Sequence, residues 1–459
     1  MKKNIDFGNG KIWKIIIAQA IPLTLAQLVQ LAYNLVDRIY IGHIGDGSGI
    51  EFTGVGVTFP ILTLIMAFTS FFGMGGLPLF SMARGEGRDS HAEKILGNSF
   101  TLLAIASVIL MAAGLIFCKP LLYLFGASAE TCPYAEQYLK IYLLGTPFSM
   151  LSTGLNCYIN AQGFPKKGMC TVLLGAIINI ILDPIFIFKL ELGVSGAAIA
   201  TVISQIISAI WVLSFLTGEN AILKIKKENL RLDISIIKNI LKLGVVNFVM
   251  QGSTCLVQAV SNSTLQSFGG DIYVGLMTII NSVREILMLP VSGIFSGSQP
   301  VLSFNYGAKK YKRVIEGIRF NTVLSGGYLL IMWGLVFAFP AFWIQIFGGN
   351  EKRIALGTSV MRSYFFGFVF MAFQFVGQST FQAVGDAKHA IIFSLLRKVI
   401  IVLPLTLILP HCFNLGVNGV FFAEPVSNVV GGLASYITMR LTIYRKLKRG
   451  ESEENGTST

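Results

Sequence analysis

Long apolar blocks separated by short polar stretches set the pattern of this chain. Ile12–Ile41, Phe52–Ala83, Leu96–Cys118, Tyr134–Asn160, Met169–Phe188 and Val194–Leu216 each hold enough apolar length to cross a bilayer, which takes roughly 20 helical residues. After the polar stretch Thr217–Ile236, the pattern resumes with Val245–Phe268, Tyr273–Ser303, Phe320–Ile344, Ser359–Ala383, Ala390–Leu409 and Gly416–Ile443. A membrane barrel would show short alternating segments instead. The pattern therefore predicts an all-α integral membrane protein of about 12 transmembrane helices. Lys2, Lys3, Lys11 and Lys14 together with Ala18-Gln19-Ala20 mimic a secretory leader. Too few apolar residues separate Lys11 from that site, and the apolar run continues past it, so an uncleaved first helix is expected.

Composition agrees. Only 13% of the 459 residues are charged and 53% are hydrophobic, against about 25% charged in a soluble domain. The net charge of +13 finds its explanation in sidedness, because Lys and Arg collect in cytoplasmic loops. With twelve spans and an inside N-terminus, 26 of the 36 basic residues fall on the inner side. Seven (Arg38, Lys119, Lys140, Lys189, Lys352, Arg353 and Arg362) fall outside, and Arg284, Arg397 and Lys398 lie within spans. Both termini are expected in the cytoplasm of a bacterial inner membrane. Anionic lipid accounts for the positive charge, and no nucleic-acid partner is implied. The six cysteines and four histidines form no metal-ligand spacing. No phosphate loop, nucleophile elbow or zinc-protease pattern is present, so an enzyme and a bound cofactor are not expected.

The chain also matches itself. A shift of 222 residues carries Gly75, Pro78, Ser81 and Gly85 onto Gly297, Pro300, Ser303 and Gly307. It carries Tyr142, Gly145 and Phe148 onto Tyr364, Gly367 and Phe370, and Ala161, Gly163 and Lys166 onto Ala383, Gly385 and Lys388. A slip of one residue puts Gly193-Val194-x-Gly196 onto Gly416-Val417-x-Gly419. Two repeats of six spans run in the same direction, related by an axis along the membrane normal. Residues 1–216 then form one lobe, 217–236 a cytoplasmic linker, 237–445 the second lobe, and 446–459 a polar cytoplasmic tail, of which Glu451–Thr459 is expected to lack order. Like-oriented bundles around a central cavity suit alternating access in a secondary transporter, although channels and membrane enzymes also arise by duplication.

Several motifs resemble one family. Tyr33-Asn34-x-x-Asp37, Ile41-Gly42-His43-x-Gly45, Phe59-Pro60, Gln162-Gly163 and Gly193-Val194-x-Gly196-Ala197-Ala198 are similar to the multidrug and toxic compound extrusion (MATE) family. So are Gln299-Pro300, Asn305-Tyr306-Gly307-Ala308 and Ala423-Glu424-Pro425-Val426-Ser427. The resemblance runs over roughly residues 12–445 and implies a V-shaped exporter of two pseudo-symmetric six-helix lobes around a central cavity. It implies export of cationic or amphipathic compounds in exchange for H⁺ or Na⁺, by a bacterial-type monomer. The second-lobe carboxylates of the Na⁺-dependent branch have no counterpart here, where Gln251, Gln258 and Gln374 occupy comparable stretches.

Ionisable residues at membrane depth are functional candidates. Asp37 and Asp183 are the intramembrane acids of the first half, and Asn179 shares a helix face with Asp183. At about 1.5 Å per residue, Asp37, Asp183 and Thr201 all come to roughly 6–11 Å below the outer surface. Such a level can hold a small hard cation or share a proton. The alternative is that the two acids cap helix ends or pair with Arg38 and Lys189. In the resembled family, Asp37, Asn179, Asp183 and Thr201 match the first-lobe cation site, which implies a coupling ion there. The second half carries Arg284, Glu285, Arg397, Lys398 and Glu424. Thr201 shifted by 223 lands on Glu424, and an Arg397–Glu424 pair is expected near mid-membrane, as packing or as part of transport. Tyr33, Asn34, Gln251 and Met277 are candidates for the substrate cavity. A flippase for lipid-linked saccharides is the runner-up reading. It would favour extra spans and a cavity rich in Arg or Lys.

Overall fold

A computed structural model describes residues 4–44, 49–347, 351–412 and 415–456, with side chains through 453. Gly45 of the sequence motif and residues 457–459 of the tail lie outside the described residues. Among the described residues, eleven helices are long and apolar enough to cross a membrane: α1 (Ile12–Gly42), α2 (Ile50–Gly85), α3 (Asp89–Ile116), α5 (Pro165–Lys189), α6 (Gly193–Thr217), α7 (Ile234–Gly269), α8 (Asp271–Gly307), α9 (Tyr311–Ala338), α10 (Glu351–Ala383), α11 (Ala387–His411) and α12 (Val417–Glu453). The remaining long helix is α4 (Cys132–Ala161), of 30 residues. It is less apolar because it carries Glu136, Lys140 and several buried hydroxyl and amide side chains. With α4 the long helices among the described residues number twelve, in the order the apolar blocks predict, short helices such as Cys118–Leu124 and Pro340–Ile346 lie between them, and no strand occurs among the described residues.

Helices run past the apolar blocks, and at two starts a polar side chain caps the first turn. Asp233 accepts from the backbone N–H of Ser235 at 2.8 Å and of Ile236 at 3.4 Å, which caps α7 well before its apolar block begins. Asp386 accepts from His389 N at 3.3 Å to start α11. The tail expected to lack order continues as helix through Gly456.

The chain divides into two compact units, and the divisions fall inside helices. One unit holds Ile21–Asn247 with the N-terminal segment ending at Phe7; the other holds Gly8–Ala20 with the chain from Phe248 onward. In the first unit α4 is central and packs on α2, α3 and α6. Leu103, Leu139, Leu155, Tyr158 and Ile159 fill the space between them. Small residues allow the backbones to approach: Gly73 meets the Gly154 backbone, and Gly145 meets Val202. The linker is not a loose spacer. Gln162 Nε2 donates to Leu223 O at 3.1 Å, and its Oε1 accepts from Ile222 N and Leu223 N at 2.7 and 2.9 Å. Lys226 bonds Glu93 at 2.6 Å, and this hydrogen bond raises the Lys226 pKa.

In the second unit α10 and α12 hold the corresponding place, with Gly367 against the Pro425 backbone and Gly432 against Phe370 O. The repeat seen in sequence thus reappears as matched geometry. Gly163 and Gly385 turn with φ of +88° and +80°, and Gly193 and Gly416 with +53° and +50°. These values suit glycine, which has no Cβ to collide with its own carbonyl.

Candidate functional site

The first polar cluster is built by α1, α5 and α6. Asn179 and Asp183 lie one turn apart on α5, both fully buried. Asn179 Nδ2 donates to Asp183 Oδ1 at 3.1 Å and to Thr201 Oγ1 of α6 at 3.3 Å. From α1, the Asp37 carboxyl meets the Asp183 carboxyl within hydrogen-bonding reach. Two ionised carboxylates offer only acceptors, so this contact calls for a proton or a cation between them. Asp37 Oδ1, Asn179 Oδ1 and Asp183 Oδ2 are buried and find no donor among the described residues. A buried acceptor without a partner costs about 1–3 kcal/mol, and three of them on touching residues make a spot short of positive charge. An all-oxygen set is the chemistry of hard cations and of protons.

No ion pair joins Asp37 or Asp183 to a basic residue among the described residues, and Arg38 lies over the Phe59 ring, 4.9 Å from its centre. Tyr33 of α1 and Tyr138 and Tyr142 of α4 stand close enough to Asp37 to feel its charge. The rings of Tyr138 and Tyr142 are 6.1 Å apart.

A second cluster lies within the other unit. Glu424 of α12 receives Lys398 Nζ at 2.9 and 3.2 Å, Arg397 Nη1 at 3.2 Å and Arg284 Nη1 of α8 at 3.4 Å. Arg397 also donates to Asn428 Oδ1 at 2.9 Å, and Tyr364 of α10 contacts Arg284. Arg397 and Lys398 sit in a π-helical stretch, Leu396–Val402; such widened turns often mark functional sites. Glu285 is exposed and outside this group.

Of the substrate candidates, Met277 is buried and lines a cavity beside Glu424, together with Gln258. Asn34 and Gln251 are exposed, and Tyr33 is partly buried in the first cluster. Sequence reasoning paired Arg397 with Glu424 and left out Lys398, Arg284 and Asn428 as partners of the same acid. It named Tyr33 only for the substrate cavity and passed over Tyr138, Tyr142 and Tyr364. A signal for them existed, since the 222-residue shift that carries Tyr142 onto Tyr364 links one tyrosine at each cluster.

The MatE family model matches residues 22–185 and again 247–408, one match in each half. A curated relative, the multidrug export protein MepA of Staphylococcus haemolyticus, is 25% identical over 438 residues, covering 95% of each chain. MepA of Staphylococcus aureus is 23% identical over 441 residues, again covering 95% of each. Among solved structures, a MATE transporter in a bent conformation superposes with a TM-score of 0.92 at 23% identity, over 98% of this chain and 99% of that one. The outward-facing structure of a multidrug resistance MATE family transporter superposes with a TM-score of 0.90 at 23% identity, over 97% and 99%.

Proposed function

The chain belongs to the MatE family of membrane transporters, and from that premise we propose that it is a secondary active antiporter that exports amphipathic or cationic compounds. The substrate class is supported by the names of the curated relatives, which are multidrug export proteins. Those names do not favour the flippase reading. H⁺ or Na⁺ drives the export, bound by Asp37, Asn179, Asp183 and Thr201. The observation that carries this reading is the carboxyl-to-carboxyl contact of Asp37 and Asp183 among buried oxygens that lack donors.

An ion entering the cluster bridges the two carboxyl groups, halves their combined negative charge, and gives the orphaned oxygens a partner. Releasing it restores the negative charge, which attracts a cationic compound. Each step biases one of two arrangements, which is what alternating access requires. Lobes 1–216 and 237–445, joined by the linker 217–236 and followed by the tail 446–459, would be the moving parts of a monomer. Both termini would lie in the cytoplasm of the bacterial inner membrane, as the basic residues favour. The test is efflux of a fluorescent organic cation from proteoliposomes under an imposed Na⁺ or pH gradient. Efflux stimulated by one gradient supports the antiporter. Equal efflux with and without both gradients rejects it.

A further inference from the structure

We propose that the cavity beside Glu424 is an oxyanion site that takes the carboxylate or phosphate head of an amphipathic organic anion. The cavity lies within the second unit and is open on one side, its empty space of about 430 Å³ running out into solvent. Arg284, Lys398, Asn281 and Thr406 line its polar side, and Val257, Met277 and Val402 its apolar side. An amphipathic molecule needs both.

The charge count points to the sign of the ligand. Arg284, Arg397 and Lys398 face one acid, Glu424, in an excess of two formal positive charges. Arginine stays protonated in proteins, so the excess persists by one even with a neutral Lys398. Counting the exposed Glu285 beside Arg284 still leaves one positive charge over the full set. Three donors, Arg284, Arg397 and Lys398, make four contacts to Glu424, three of them crowded on Oε1 and one on Oε2. Arg397 has a further acceptor in Asn428 Oδ1, whereas the Arg284 guanidinium and the Lys398 ammonium line the cavity. Excess charge at this depth is costly unless it is paired, and a second oxyanion beside Glu424 would pair it. Thr406 adds an independent sign: it is 1% exposed, lines the same cavity, and its hydroxyl has no partner among the described residues. A hydroxyl, a guanidinium fork and an ammonium suit a carboxylate or phosphate. A cationic compound would be repelled.

The site has the opposite sign to the Asp37–Asp183 cluster and does not depend on the coupling role proposed for it. The repeat places both on corresponding helices, α5 and α6 in one half and α11 and α12 in the other.

The test uses the full-length protein purified in neutral detergent, with 1-naphthoate as probe and the uncharged 1-naphthamide as its match. Binding is read by titration calorimetry. Naphthoate is expected to bind at least about tenfold more tightly than naphthamide, the scale of one charge-assisted hydrogen bond. Arg284→Gln and Lys398→Gln should each weaken naphthoate by about tenfold or more and leave naphthamide unchanged. Arg284→Lys should retain most of the binding, and Thr406→Val should lose a few-fold. If Lys398→Gln does not fold, the Arg284→Gln and Arg284→Lys pair decides. A second arm separates a free anion from a lipid headgroup. The protein is melted in nanodiscs of phosphatidylglycerol and of phosphatidylcholine. Stabilisation by phosphatidylglycerol that is lost in Arg284→Gln, without naphthoate binding, keeps the oxyanion site and assigns it to lipid phosphate. Equal affinity for both naphthyl probes with no lipid effect overturns the proposal, as does naphthoate binding that the variants leave unchanged. The cluster is then an internal brace.

Discussion

Lys398 Nζ donates to both oxygens of Glu424, at 2.9 and 3.2 Å, while Arg397 reaches only one of them, at 3.2 Å. Both lysine and acid are about 5% exposed, so water does little to screen them. Glu424→Gln leaves three cations facing one another and should destabilise by about 3–5 kcal/mol, the cost of stranding a buried charge. Lys398→Gln should relieve part of this loss when combined with Glu424→Gln, and Arg397→Gln should relieve less. Thermal unfolding of the single and double variants in detergent measures the coupling. Additive losses in both doubles would mean that the acid interacts with neither partner.

Asp37→Asn and Asp183→Asn should each abolish gradient-driven efflux while leaving folding and insertion intact, because an amide is nearly isosteric with a carboxylate. Asn179→Ala and Thr201→Ala remove neutral partners and should weaken coupling less. The measurement is efflux in proteoliposomes with matched protein levels. Full coupled efflux in the Asp37→Asn, Asp183→Asn double variant would move the coupling site elsewhere.

Gln162 holds three backbone groups of the linker, at Ile222 and Leu223, and is fully buried. Gln162→Leu leaves those groups without their partner, at about 1–3 kcal/mol for each that stays dry. The linker should then open, and limited proteolysis should cut between Thr217 and Ile236 sooner than in the unaltered protein. An unchanged cleavage rate would show that other contacts hold the linker.

Gly163 has φ of +88°, and a Cβ there would collide with the Ile5 backbone. Gly163→Ala should therefore cost more than the 1–2 kcal/mol of a left-handed residue alone, seen as a lower melting temperature. A loss smaller than this would show that the N-terminal segment yields freely.

A cysteine at position 227 should resist a membrane-impermeant reagent applied from outside, and one at position 269 should react, in a background without the native cysteines. This follows from the basic residues around the linker, which favour the inner side. External labelling at position 227 reverses the orientation.

The sequence by itself determined the helices, their order and the twofold internal repeat. These depend on local quantities: the apolar length a bilayer demands, and glycines such as Gly163 and Gly385 that carry the same backbone turn in each half. It also brought Asn179 and Asp183 together, because residues four apart share a helix face. It did not reveal that Arg284, Lys398 and Tyr364 all gather around Glu424. Arg284 and Glu424 are 140 residues apart. Their meeting depends on how far each helix is rotated about its own axis, and packing sets that rotation through close approaches such as Gly367 against Pro425. Hydropathy is nearly blind to it, since one arginine changes an apolar block equally little whichever way it faces. Only the tertiary structure could decide that one acid would meet three cations beside a cavity.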